Sequence, residues 1–276
     1  MDSVESPIEG TFTTRDGTEL FTVTVSDQDP RYELLHVHGL GEHSGRWIQR
    51  FTELAKRGAR VTAFDLRGHG RSGGERMHVD SFDQFTSDVS EIATATSAST
   101  GRPWVLYGHS MGGLIATSYL INACKPVPNI AVLSAPALGD GTPAAKRFAA
   151  KLIGAIAPKI MIKTPIAGEQ LSRDPKVGEA YFDDPLVQQM GTVGLGRVVF
   201  AEQARLAPDT GRITIPTLVI HGADDTLVPT AASASLAKSV SVERKVYPGL
   251  RHELHFEPEG AHVIGDVGDW IEGKLF

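Results

Sequence analysis

The sequence predicts an α/β fold: a mostly parallel sheet with helices on both faces, an antiparallel N-terminal edge and an inserted helical cap. Three observations predict it. Short apolar runs alternate with longer segments of helical period over most of the chain. An Asp-Gly pair separates two alternating runs near the start. One connection is much longer than a crossover between parallel strands requires.

Taken in order, TFTTRDGTELFTVTV, with Asp16-Gly17 at its centre, reads as an antiparallel hairpin on the sheet edge. Leu34, Leu35 and Val37 lie in a strand that ends at HGLGEHSGRW. Trp47 to Arg57 has helical spacing, with Phe51, Leu54 and Ala55 on one face. ARVTAFDL (59–66) reads as a strand running into the Gly-rich turn RGHGRSGG. A helix is expected from Ser81, a capping residue, to about Thr96. PWVLYG (103–108) is a strand followed at once by helix-forming MGGLIATSYLI. NIAVLSAP, IPTLVIHG and ERKVYPG supply three more strands, and a helix from about Glu259 to Leu275 closes the chain. There is no internal repeat.

Between LSAP (133–136) and the strand near Ile215 lie almost 80 residues, where a crossover needs about a dozen. The excess is an insertion, about 138–205, into a single domain spanning 1–276, and it is expected to have no sheet of its own. It opens with GTPAAKRFAAKLIGAIAPKIMIK (141–163), in which Phe148, Leu152, Ile153, Ile156 and Ile160 share a helix face that Pro158 interrupts. Lys146, Arg147, Lys151, Lys159 and Lys163 make the stretch basic. Two readings fit it. Either the apolar face packs on the core with solvated lysines outside, or the cap lines an acyl tunnel and touches a lipid surface whose anionic head groups favour the lysines.

Composition bounds the function. With 41% hydrophobic and 22% charged residues the chain can build a core and is neither disordered nor fibrous. A net charge of −6 offers no basic field for nucleic acid. The single cysteine, Cys124, excludes an internal disulfide and a Cys-rich zinc site. MDSVESPIEG lacks the basic and apolar regions of a secretory signal, and no apolar run reaches membrane-spanning length. The expected location is therefore the cytoplasm, with any membrane association peripheral and through the cap.

GHSMG (108–112) matches G-x-S-x-G between a strand and a helix. As a string it is unspecific; the strand before and the helix after give it weight, because Ser110 would sit in a strained turn that tolerates no Cβ on either flank. A serine hydroxyl attacks only when a base takes its proton and an acid orients that base. In the chain order Ser, Asp or Glu, His, the loop HGADDTLVP offers Asp224 and Asp225, which physical reasoning alone does not separate. YPGLRHELHFEP offers His252 and His255, of which His252 lies nearer the strand end. The developing oxyanion needs donors: the N–H of Met111, directly after the serine, and the N–H of Leu40, in the loop after His38-Gly39. His36-x-His38 has no nearby carboxylate and is not read as a metal site. RGHGRSGG lacks the Gly-Lys-Ser/Thr ending of a phosphate loop and is read as a structural turn.

Together HGLGEHSGRW, FDLRGHGRSGG, GHSMGG, LSAPAL, SRDPKV, DPLV, HGADDTLVP and YPGLRHELHFEPE resemble the α/β-hydrolase superfamily and, within it, the monoacylglycerol lipases of bacteria. The similar segments run in the family's order from 38 to 259. The resemblance implies Asp225 as the triad acid and His252 as the base, and supports Leu40 and Met111 as oxyanion donors. It further implies a polar pocket for glycerol at Glu42, Arg46 and His255; the alternative for Glu42 and Arg46 is a surface i, i+4 pair.

The expectation is a serine ester hydrolase that cleaves monoacylglycerols, with Ser110, His252 and Asp225 as its triad, a small lipid ester as partner, and neither metal nor organic cofactor. A lysophospholipase or broad carboxylesterase is the nearest rival, because cap side chains choose the substrate. A non-catalytic binding protein of the same fold is the rival from another class, and it would be expected to lack part of the triad.

Overall fold

The antiparallel edge is a hairpin of β1 (Ile8–Thr13) and β2 (Glu19–Ser26), closed by a loop in which Gly17 takes φ +85°. The computed structural model describes residues 4–96, 100–139 and 141–276; Asp140, at the start of the expected insertion, lies outside them. After the hairpin come β3 (Tyr32–Val37), helix α1 (Gly45–Lys56), β4 (Ala59–Phe64), α2 (Asp83–Thr96), β5 (Trp104–His109), α3 (Met111–Ile121) and β6 (Ile130–Ser134). The segment between β6 and the next sheet strand holds α4 (Ala144–Ile156), β7 (Met161–Lys163), α5 (Gly168–Leu171), α6 (Pro175–Asp183), β8 (Met190–Thr192) and α7 (Val193–Leu206). The sheet resumes with β9 (Thr217–Gly222), then α8 (Ala231–Ala234), β10 (Val242–Tyr247) and the closing α9 (Gly260–Leu275).

The sheet order is β1-β2-β4-β3-β5-β6-β9-β10, antiparallel only where β2 meets β1 and β4. The central strands are buried on both faces, so they read as continuous apolar runs. Their side chains still alternate between two cores. Leu35, Val37, Leu106, Leu133 and Val219 pack beneath α2 and α3, whereas Leu34, Val105, Val132 and Ile220 pack beneath α1 and α9. Helix α1 turns Trp47, Ile48, Phe51, Leu54 and Ala55 inward, the i, i+1, i+4, i+7, i+8 stripe of an amphipathic helix. A parallel sheet of this kind presents the C-terminal ends of its strands along one edge, where connecting loops meet.

The inserted segment differs from the expectation in one respect, and in another it departs from one of the two readings of its opening helix. It has a small sheet of its own, β7 paired antiparallel with β8. The large apolar face of α4 also does not pack on the core: Phe148 is 62% exposed and Ile156 85%, with Leu152, Ile153 and Ile160 open as well. Helix α4 instead approaches α7 with its small residues; a Cβ on Gly154 would stand 3.0 Å from Arg197 Cβ. A closely approached glycine sets the helix's rotation and turns the bulky residues outward.

Candidate active site

Three loops at the C-terminal ends of strands meet at one point, after β3, β5 and β9, joined by the loop after β10. Ser110 occupies the tight turn between β5 and α3 with φ +52° and ψ −116°, a backbone conformation costly for any residue but glycine. Surrounding bonds impose it: Ser110 N–H donates to the Ser134 carbonyl (2.9 Å), and Ser110's carbonyl accepts from Leu114 and Ala137 (both 3.0 Å). The motif glycines are steric necessities. A Cβ on Gly112 would lie 2.0 Å from the Val37 carbonyl oxygen, and one on Gly108 2.4 Å from that of Gly112.

Ser110 Oγ–H donates to His252 Nε2 at 2.9 Å, and His252 Nδ1–H donates to Asp225 Oδ2 at 2.7 Å. Asp225 is buried whereas Asp224 is exposed. The other Asp225 oxygen accepts the N–H groups of Leu227 (2.9 Å) and Val228 (2.8 Å). Burial raises the Asp225 carboxyl pKa, but the charge of His252 and the bonds to His221, His252 and Val228 outweigh it and hold the group far below the ordinary carboxylate range. Burial would depress His252, yet the charges of Asp225, Glu253 and Glu42 raise it above the ordinary histidine value. The result is an imidazole, held in one tautomer, that can take a proton and remain a stable cation.

Leu40 and Met111 both line the cavity beside Ser110. Gly39 brings the Leu40 loop against the serine, since a Cβ there would stand 3.1 Å from Ser110 Cβ. Gly39 N–H donates to Glu42 Oε1 at 2.6 Å, which braces the loop from within.

The three residues expected to face glycerol are not brought together on the cavity wall. Glu42 lines the cavity, but Arg46 and His255 do not. The Arg46 guanidinium donates to Glu42 Oε2 (2.6 Å) and to both oxygens of Glu253 (2.7 and 2.8 Å), and it is sandwiched between the rings of Tyr181 and Phe256. It is a buried brace between the two carboxylates and not a surface pair. His255 is sealed beneath Trp47 with its Nε2 on the Tyr107 hydroxyl, and burial pushes its pKa down to about 3. Glu253, which sequence reasoning passed over, completes this cluster; its only sequence signal is adjacency to His252.

The remaining histidines of the motifs are structural. His38 Nδ1–H donates to the Gly39 carbonyl (2.8 Å), and its Nε2 accepts from Leu66 N–H (2.9 Å). His36 packs between Trp47 and Phe51. In the turn after β4, Asp65 accepts from Ser44 N–H (2.7 Å), Ser44 Oγ–H (2.6 Å) and Arg71 N–H (2.7 Å), and so ties the turn to the start of α1. Among the described residues no group of three or more His, Cys, Asp or Glu is placed to hold a metal ion, and no helix is long and apolar enough to cross a membrane.

The cavity beside Ser110 measures about 470 Å³ and runs beneath the insertion. Met77, Ile166, Leu195, Val199, Phe200 and Leu227 form its apolar wall, and Glu42, Gln170 and Glu253 are polar residues on it near His252. From α4 and β7 it receives Lys146, Ala150, Ile162 and Lys163, while the bulkiest residues of α4 face away. A largely apolar chamber with a few polar groups suits a ligand that is mostly hydrocarbon.

Comparison with known proteins gives the chain its family. The profile of the family described as "Serine aminopeptidase, S33" (Hydrolase_4) matches residues 28–259. The monoacylglycerol lipase of Mycolicibacterium smegmatis is 36% identical over 264 residues, covering 93% of each chain. Human monoglyceride lipase is 32% identical over 257 residues, covering 89% of this chain and 84% of the human one. The crystal structure of a monoacylglycerol lipase from Paleococcus ferrophilus superposes with a TM-score of 0.82 at 29% identity, over 98% of this chain and all of the other (100%).

Proposed function

The chain belongs to the serine aminopeptidase S33 (Hydrolase_4) family of α/β-hydrolases and, within it, to the monoacylglycerol lipases, and from that premise we propose that it hydrolyses monoacylglycerols to fatty acid and glycerol through an acyl-enzyme. The observation that carries this reading is the unbroken Ser110–His252–Asp225 chain of hydrogen bonds opening into a largely apolar cavity of about 470 Å³.

The acyl chain lies along Leu195, Val199 and Phe200, which brings the ester carbonyl to Ser110. As Oγ attacks the carbonyl carbon, His252 Nε2 takes its proton and Asp225 steadies the imidazolium. The carbonyl oxygen becomes an oxyanion and receives the N–H groups of Leu40 and Met111. Collapse breaks the C–O bond to glycerol, and His252 returns the proton to the departing alkoxide. Water then attacks the acyl-Ser110 carbonyl while His252 takes its proton. Collapse releases the fatty acid and restores the Ser110 hydroxyl. The glycerol end meets Glu42 and Gln170 at the polar end of the cavity.

The segment 138–205 serves as the cap of a single 1–276 domain. The outward face of α4, with Phe148, Leu152, Ile153 and Ile156 beside Lys151, is the surface through which the enzyme meets a lipid aggregate. An amphipathic helix of this composition partitions into the head-group boundary, with its lysines favouring anionic lipid.

A turnover panel of mono-, di- and triacylglycerols and lysophospholipids, with phosphonate labelling followed by mass spectrometry, tests the reading. Monoacylglycerol is expected to turn over fastest, and Ser110 to carry the adduct. Preference for lysophospholipid or equal rates on triacylglycerol overturns the substrate; absence of an adduct at Ser110 overturns the mechanism.

A further inference from the structure

The inserted segment divides into two halves that touch the catalytic loops very differently. The first half, α4 and the turn after it, adds wall to the cavity and otherwise faces outward. The second half, from α5 to the residue before β8, is hydrogen-bonded to two loops that flank Ser110. On the base side, His252 N–H donates to the Gln170 carbonyl (3.3 Å), Glu253 N–H to that of Leu171 (2.8 Å), and Arg251 Nη1 to those of Glu169 (2.6 Å) and Ser172 (3.0 Å). On the other side it grips the loop that carries Leu40.

That second grip has three parts. His43 Nε2–H donates to Asp184 Oδ2 at 2.9 Å. Gln188 N–H donates to the Gly41 carbonyl at 2.7 Å. Tyr181 Oη–H reaches the Leu40 carbonyl at 3.4 Å. The fit is close enough to require glycine. Gly41 sits at φ +76°, and a Cβ there would lie 2.7 Å from the Gln188 carbonyl oxygen. Asp184 is itself organised, since its Oδ1 accepts Leu186 N–H at 2.8 Å and so holds the turn that presents Gln188.

An N–H group stabilises an oxyanion only if it is already aimed when charge develops, and aim depends on the planes of the peptides on either side. The Leu40 N–H belongs to the Gly39–Leu40 peptide. Glu42 fixes the N–H of Gly39 on one side, and the insertion fixes the carbonyls of Leu40 and Gly41 on the other. His43 is the side-chain anchor at the far end of this span, and Asp184 is its acceptor.

We propose that Asp184 is a positioning residue for ester hydrolysis: through His43 and the Gln188 turn it locks the 39–43 loop so that the Leu40 N–H meets the oxyanion at Ser110. The second half of the insertion is thus part of the catalytic apparatus, not only of substrate selection. The inference rests on the reading of Ser110 as nucleophile and of Leu40 as an oxyanion donor.

The test uses the whole enzyme and p-nitrophenyl acetate, whose acyl group is too short to depend on the acyl chamber. Removing an oxyanion donor outright costs about 100- to 1,000-fold in kcat. Misaiming one by releasing its loop is expected to cost roughly tenfold or more in kcat for Asp184→Ala, with KM within about twofold. Affinity for a boronic acid, which forms a tetrahedral adduct with the serine, should fall in parallel with kcat/KM. Asp184→Asn keeps an acceptor for His43 and should recover most of the loss. Rates are expressed per phosphonate-titrated site, so an unfolded fraction does not register. An unchanged kcat in Asp184→Ala overturns the inference, as does a kcat loss without loss of boronate affinity. If Asp184→Ala does not fold, Asp184→Asn and His43→Leu, which removes the donor, decide. Wild-type kcat in His43→Leu overturns the inference; a smaller loss in Asp184→Asn than in His43→Leu, with parallel boronate affinities, supports it. Failure of wild-type enzyme to turn over ester or to label at Ser110 is a separate result, which overturns the reading beneath it.

Discussion

Glu253 holds the guanidinium of Arg46 with both carboxylate oxygens, at 2.7 and 2.8 Å, one residue beyond His252 in the chain. With Glu42 on the same guanidinium, the cluster contains two carboxylates and one cation, leaving an excess of negative charge beside the base. That charge, with Asp225, is what raises the His252 pKa against its burial.

Neutralising part of the cluster therefore shifts the pH profile. His252 acts as a base only when neutral, so kcat/KM falls as pH drops through its pKa. In Glu253→Gln the imidazolium loses a stabilising charge, its pKa falls, and the acid limb of kcat/KM moves to lower pH. The measurement is kcat/KM for p-nitrophenyl acetate from pH 5 to 9. An acid limb that stays in place, or moves up, refutes the account of the base.

Gly39 is the second position where a small change should have a large effect. A Cβ there would lie 2.8 Å from Glu42 Oε1 and 3.1 Å from Ser110 Cβ. In Gly39→Ala the loop must retreat from the serine, and kcat is expected to fall about 100-fold. The cores do not depend on this residue, so the melting temperature should shift by only a few degrees. A kcat within threefold of wild type would mean that the loop has room to spare.

Acid stability follows from histidines buried in neutral form. Burial lowers the pKa of His38 to about 4 and of His69 and His255 to about 3, and it depresses His36 and His109 as well. An unfolded histidine titrates near 6.5, so above that value neither state is protonated at these positions. As pH falls below it the unfolded chain takes up protons first, and each such histidine removes about 1.4 kcal/mol of stability per pH unit until its folded pKa is reached. His252, whose pKa is raised, opposes the trend. Urea unfolding at pH 8, 6.5 and 5 should give a midpoint that falls modestly between the first two and steeply by the third. A midpoint unchanged at pH 5 contradicts the argument.

The outward face of α4 should matter only where lipid is present as an aggregate. Phe148 and Ile156 are 62% and 85% exposed, so replacing both by serine removes little packing and should leave the melting temperature within a few degrees. Turnover of p-nitrophenyl acetate should persist, while binding to vesicles containing anionic lipid and hydrolysis of monoacylglycerol within them fall severalfold. Equal, negligible vesicle binding by wild type with and without anionic lipid would end the membrane-contact idea and leave the acyl chamber standing.

How much of this the chain reveals before folding depends on the range of the interaction. The strand–helix order is legible because buried parallel strands and amphipathic α1 leave local patterns that need no partner to be recognised. Ser110 is legible because its turn forces glycine at 108 and 112. Asp225 is separated from Asp224 in the sequence only by the family resemblance, since the physical differences, burial and the bond to His252, arise on folding. The sheet β7–β8 is invisible because strands of three residues carry no usable period. Periodicity reveals that α4 has an apolar face but not what covers it, and Gly154 against Arg197 decides that. Arg46 and His255 are hard to read for a related reason: a polar residue in a motif shows that a partner exists but not which one, and the structure supplies Glu42, Glu253 and Tyr107. The clasp of Asp184 on His43 spans 141 positions and leaves no local trace.

The uneven attachment of the insertion makes α4 the exchangeable part of this enzyme. A graft that replaces 144–156 with the corresponding helix of a relative leaves every bond to the His43 and His252 loops in place, whereas a graft extended through 189 would replace Asp184 and Gln188 and detune the chemistry it was meant to redirect. The natural seam for transplanting acyl preference is β7, because its three-residue pairing with β8 tethers the interchangeable helix to a portion of the cap that must stay native.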